Sequence, residues 1–208
     1  MKQRLFFYGD SNTWGYTPFG PRIDAQDRFP QQAATHLPGW EIVECGLNGR
    51  CTARSHDLFP SELLGGATFL AAFKEALPIH ALVIMLGTND VMDPLNFSAN
   101  TIAENIRSML HEARTLSLTL SLLVISPPAI AQRSVWELVG LYHCEKELLE
   151  QDLAGPLAHM AREEGADFWD ARESVPEFGA EDGMHLTIED HHRLGKACGA
   201  FLKKRLFS

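Results

Sequence analysis

The six residues Ala81–Leu86, ALVIML, restrict the possible folds more than any other stretch of the chain. A strand with one face in water alternates apolar and polar residues, because successive side chains point to opposite faces. ALVIML does not alternate, so both of its faces must be covered. That is the condition of a central strand in a parallel sheet with helices on either side. Leu116–Ile125 reads as another near-continuous apolar strand and stops at Ser126-Pro127-Pro128. Shorter apolar runs at Leu5–Tyr8, Trp40–Cys45 and Ala166–Trp169 add three more strands.

Helical patterns fall between these runs. Phe29–Leu37 is ended by Pro38-Gly39, and Ala67–Leu77 by Pro78. Thr101–Thr115 places Ile102, Ile106, Met109, Leu110 and Ala113 at a helical period. Val135–Glu163 reads as mostly helical with a break near Gly155-Pro156, and Ile188–Phe207 as a closing helix. Tyr16–Phe29 and Ser55–Gly66 read as loops. Strand and helix in repeated succession predict an α/β fold with a central parallel sheet and helices on both faces. The 208 residues, 45% of them hydrophobic, suit one domain over 1–208, with no internal repeat or linker.

The net charge of −9 disfavours nucleic acid and anionic membrane surfaces as partners. ALVIML is far shorter than the roughly 18 residues of a membrane span. The apolar run after Lys2 and Arg4 covers about five residues, against the roughly 7–15 of a signal-peptide core. A cytoplasmic location is the expectation. Cys45, Cys51, Cys144 and Cys198 form no CxxC pair or zinc spacing, so free thiols are expected. His191-His192 with Asp190 does not make a metal site either, since adjacent helical residues point about 100° apart.

Polar clusters follow the predicted strands: Gly9-Asp10-Ser11, Gly46–Gly49, Gly87–Asp90, and Asp182–His185 after the last. Open α/β sheets bind ligands outside the carboxyl ends of their strands, so these clusters would meet at one rim. The chemistry they can perform is acyl transfer. Ser11 would attack a carbonyl, His185 would take its proton, and Asp182 would orient the imidazole. Donors for the oxyanion would be the N–H of Ser11, the N–H of Gly49 and the amide of Asn89. Plainer roles exist for each residue. Asp10 and Ser11 also suit a helix cap, Gly49 a turn, and Asn89 an Asx-turn. Trp14 and Asp10 are candidates for substrate binding, though Trp14 can equally pack in the core and Asp10, like Asp90, can hold loop backbone. Arg50 and Arg54 read as solvated loop charges in preference to an anion site. Loops 16–29 and 126–138 are expected to shape the pocket.

GDS at Gly9–Ser11, Gly49, GTND at Gly87–Asp90 and DGMH at Asp182–His185 resemble the blocks of the SGNH (GDSL-type) hydrolases. The resemblance runs nearly end to end and is similar to the arylesterase/acyltransferase branch in GDSNTWG, GLNGRCT, VIMLGTND, ISPP and DGMHLT. It implies a flavodoxin-like three-layer α/β/α sandwich, no cofactor, and hydrolysis of small acyl esters. It implies Ser11 as nucleophile, His185 as base, Asp182 as its acid, and Ser11, Gly49 and Asn89 as the oxyanion hole. An acyltransferase or a carbohydrate O-deacetylase would use the same site, and a homo-oligomer is left open. A phosphate- or flavin-binding module is the reading from another class, and it leaves the DGMH block and Asn89 without a role. Two residues depart from the pattern: Asn12 stands where GDSL proteins have leucine, and Cys51 where that branch commonly has threonine.

Overall fold

The computed structural model describes residues 2–92, 94–131, 134 and 153–207. Five parallel strands form one sheet: β1 Gln3–Gly9, β2 Trp40–Gly46, β3 Ala81–Met85, β4 Ser121–Ser126 and β5 Asp167–Asp170. Their order is β2-β1-β3-β4-β5. Leu5 of β1 is registered with Ile42 on one side and Ala81 on the other. Val83 pairs with Leu123, which in turn pairs with Asp167. β3 is buried at all five positions, as its unbroken apolar sequence requires.

Helices cover both faces. Phe29–Ala34 (α2) and Ile188–Leu206 (α6) lie over one face, where Leu5, Phe7, Val83 and Met85 meet Phe29, Leu194 and Leu202. Gly65–Ala76 (α3), Ala99–Leu116 (α4) and Ala154–Glu163 (α5) lie over the other. There Phe6, Tyr8, Leu82 and Ile84 meet Phe69, Phe73, Ile106 and Leu157. Successive residues of β1 thus feed two separate apolar layers, giving a three-layer sandwich. The chain leaves β1 for β2 on one side and later crosses back to β3 on the other. The C-terminal ends of β1 and β3 therefore border the crevice where such sheets bind ligands.

Some boundaries differ from the sequence reading. The apolar stretch 116–125 is not one strand: Leu116 closes α4, Leu118 is exposed, and β4 begins at Ser121. Apolar content alone cannot separate the end of an amphipathic helix from the start of a strand. α3 begins at Gly65, two residues before Ala67. A Cβ at Gly65 would lie 2.3 Å from the Cys51 carbonyl oxygen, and one at Gly66 2.6 Å from that of Thr52. Glycines there let the helix start beneath the crossing 51–53 loop. α5 starts at Ala154, so Gly155-Pro156 sits in its first turn, where proline removes no helical bond. The rest of the predicted helix, 135–152, lies outside the described residues. Among them, no helix is long and apolar enough to cross a membrane.

Candidate active site

β1 ends at Gly9, and Asp10 caps the one-turn helix Ser11–Trp14 (α1) by accepting the Asn12 N–H at 2.9 Å. This puts Ser11 at the rim of the sheet, in the first turn of a helix. On the far side of the sequence, Asp182 closes a tight turn. Its Oδ1 accepts the N–H groups of Met184 at 3.1 Å and His185 at 3.2 Å. Its Oδ2 lies 2.5 Å from His185 Nδ1, and His185 Nε2 lies 2.9 Å from Ser11 Oγ. All three residues are buried. The Thr187–Asp190 capping box starts α6 immediately afterwards and fixes the exit of the turn.

A second arrangement borders the same cleft as Ser11. Gly49, at φ +76°, follows β2, and Asn89 follows β3. Asn89 Nδ2 donates to the Arg50 carbonyl at 3.0 Å, joining the two turns. Asp90 Oδ1 reinforces the joint by accepting the Thr52 N–H at 2.8 Å and its hydroxyl at 2.6 Å. The N–H groups of Ser11 and Gly49 have no backbone acceptor among the described residues.

A hydroxyl, an imidazole and a carboxylate in series, with unpaired donors beside them, can generate an alkoxide-like nucleophile and hold an oxyanion. Residues 7–192 match the family model described as GDSL-like lipase/acylhydrolase. The chain belongs to this family. It is an SGNH-type carboxylic ester hydrolase, and its fold is that of structurally characterised esterases. Est24, a carbohydrate acetylesterase from Sinorhizobium meliloti, superposes with a TM-score of 0.90 at 26% identity, over 98% of this chain and 100% of that one. The M. smegmatis aryl esterase does so at 0.85 and 26%, over 97% and 99%. A putative arylesterase from Agrobacterium tumefaciens gives 0.84 and 25%, again over 97% and 99%. No curated protein matches the chain.

In this acylhydrolase the cleft beside Ser11 has a volume of about 210 Å³ and is lined by Tyr16, Asn48, Gly49, Asn89, Met92, Met184 and His185. The Tyr16 ring lies 4.5 Å from that of His185. Of loop 16–29, only Tyr16 reaches this lining. Trp14 does not line the cleft: Arg22 covers its ring at 4.4 Å. Asp10 is likewise absent from the lining and acts as the cap of α1. From the 126–138 segment, the Ala131 N–H donates to the Gly183 carbonyl at 2.8 Å and braces the histidine turn. Residues 132, 133 and 135–138 lie outside the described set.

Asn12, noted in the sequence only as a departure, has a definite function in the fold. Its Oδ1 accepts the Leu186 N–H at 3.0 Å and its Nδ2 donates to the Met184 carbonyl at 3.3 Å. A single buried amide thus ties the serine helix to the histidine turn. No local signal in the sequence marks this role, because an asparagine in the first turn of a helix is equally at home in water. Cys51 donates Sγ–H to the Leu63 carbonyl at 3.5 Å, so a local bond survives the replacement of threonine. Burial pushes its thiol up to about 11. Cys45, Cys51 and Cys198 are free, and Cys144 lies outside the described residues.

Arg50 is not a solvated loop charge; it is buried, and its guanidinium turns back to the strand ends. Arg54 is paired with Glu112 at the surface. Burial pushes the Asp10 carboxyl up to about 6, opposed by the Asn12 N–H and the charges of His185 and Arg50. Burial pushes Asp90 up to about 7, opposed by its two bonds from Thr52. His191 and His192 face different partners, the Phe29 N–H and Asp27. Among the described residues, no group of three or more His, Cys, Asp or Glu side chains could hold a metal.

Proposed function

We propose that this acylhydrolase is a serine esterase acting on small acyl esters, acetyl and aryl esters among them, through an acyl-enzyme on Ser11. The observation that carries the reading is the unbroken line Ser11 Oγ, His185 Nε2, His185 Nδ1, Asp182 Oδ2 at 2.9 and 2.5 Å. His185 takes the hydroxyl proton as Ser11 attacks the acyl carbon. Asp182, its other oxygen held by two backbone N–H groups, keeps the proton on Nδ1 and balances the imidazolium. The oxyanion is met by the Ser11 and Gly49 N–H groups and by Asn89. His185 returns the proton to the departing alkoxide, and water then repeats the cycle on the acyl-enzyme. The cleft's volume of about 210 Å³ supports a short acyl group.

Two of the similar structures are carbohydrate acetylesterases, which favours acetylated sugars as a second reading for the same site. Comparing kcat/KM on acetylated sugars and on aryl acetates separates the two, and adding an alcohol measures transfer against hydrolysis. The mechanism itself is tested by intact mass after exposure to a fluorophosphonate. One adduct on the wild type and none on Ser11→Ala is the expected result. A folded wild type that takes no adduct refutes the proposal.

A further inference from the structure

We propose that Arg50 is the positioning residue of the oxyanion site, holding in register the three strand ends that carry its donors. This rests on the serine-esterase reading above. Arg50 Nη1 donates to the Gly9 carbonyl at 2.8 Å and to the Cys45 carbonyl, bridging the C-terminal ends of β1 and β2. Gly9 lies two residues before Ser11, and Arg50 itself follows Gly49. Its own carbonyl accepts the Asn89 amide at 3.0 Å, which brings in the end of β3. One side chain and its peptide group therefore contact the supports of all three donors.

The environment makes the geometry specific. The guanidinium carbon sits 4.1 Å from the centre of the Tyr8 ring, and Tyr8 is pinned by donating its hydroxyl to the Gly65 carbonyl at 2.8 Å. The planar group is thus stacked on one face while its edge bonds the two carbonyls. Beyond Gly9 and Gly46 the strand pairing stops, and among the described residues the Gly9 carbonyl would keep the Leu47 N–H at 3.2 Å. Both bonds leave the one Nη1, whose hydrogens are fixed in the plane that stacks on Tyr8; an ammonium can match the charge but has no plane to hold its hydrogens toward the two carbonyls. Preorganised donors lose effect steeply when displaced, with about 10²-fold for a misplacement near 1 Å.

Arg50→Lys and Arg50→Met test this, with rates normalised to the fraction of sites that a fluorophosphonate titrates. The probe is a trifluoromethyl ketone of the acyl group, which forms a tetrahedral oxyanion on the serine. The expected result is a loss in kcat of roughly 10-fold for lysine and about 100-fold for methionine, with KM nearly unchanged. Inhibitor affinity should fall by the same factors. A residue that merely supports the fold would reduce the titratable fraction and the melting temperature while leaving kcat per titrated site intact, and that result would overturn the assignment. A fall in kcat without a fall in inhibitor affinity would overturn it as well. If Arg50→Met does not fold, the lysine variant alone decides by the same two readouts. A wild type that takes neither adduct refutes the esterase mechanism itself, and this inference with it, whereas wild-type adducts with unaffected Arg50 variants refute only this inference.

Discussion

Replacing Asn12 by alanine removes the two bonds its amide makes between α1 and the histidine turn, from the Leu186 N–H at 3.0 Å and to the Met184 carbonyl at 3.3 Å. Asn12, Met184 and Leu186 are all buried, so water cannot readily replace either bond. Two neutral bonds contribute about 1 kcal/mol each, and a buried N–H left unpaired costs about 1–3 kcal/mol more. A loss of roughly 3–5 kcal/mol is therefore expected. It should appear as a lower urea midpoint with an unchanged slope. Activity should fall further than stability explains, because the same bonds set the 2.9 Å contact between Ser11 and His185. A decrease in kcat of about 10–100-fold on 4-nitrophenyl acetate, with a smaller change in KM, is the expected outcome. Asn12→Asp keeps the acceptor for Leu186 but turns a second oxygen toward the Met184 carbonyl, beside buried Asp10. It should be less stable than alanine near neutral pH and recover as the pH is lowered. If Asn12→Ala unfolds within 0.5 kcal/mol of wild type (roughly the scatter of a neutral surface change) and keeps its kcat within twofold, the amide is not a joint.

Three further outcomes follow from the geometry. Asp182→Asn keeps an acceptor for the turn but presents the wrong partner to His185 Nδ1; kcat should drop by about 10⁴, and a drop below tenfold would refute its role. His191 accepts the Phe29 N–H at 3.1 Å, and burial pushes its pKa down to about 3. As pH falls below the unfolded value near 6.5, the unfolded chain gains a proton that the folded chain refuses, so stability declines by about 1.4 kcal/mol per pH unit toward pH 3. Urea unfolding of His191→Asn should show a pH dependence flatter by about 2 kcal/mol between pH 7 and 5, and parallel curves would contradict the burial argument. Gly46→Ala places a Cβ 2.2 Å from the Trp14 nitrogen, in the backbone of the helix that carries Ser11. Calorimetry should show a loss of at least about 1–3 kcal/mol, together with fewer titratable serines, and an unchanged melting temperature would refute the close packing.

The sequence by itself determined the layer architecture and singled out the parts of the candidate site. An unbroken apolar run such as ALVIML can be satisfied only between two layers, whatever surrounds it. Asp10 before Ser11, and Asp182 three residues before His185, form caps and turns whose bonds close within a few residues, so their geometry is local. Tertiary structure decided what those parts touch. Asn12 bonds a segment more than 170 residues away, and Arg50 folds back onto two strand ends instead of reaching water. Arginine in a polar loop and asparagine in a first turn carry the same local signal whether exposed or buried. The ends of the 116–125 stretch were undetermined for a related reason. Leucine is equally at home on a helix face, in an exposed turn and in a strand, and the pairing of Leu123 with Val83 and Asp167 settles where β4 lies. Local conformation follows from bonds between near neighbours, whereas burial and long-range partners depend on which surfaces the folded chain brings together.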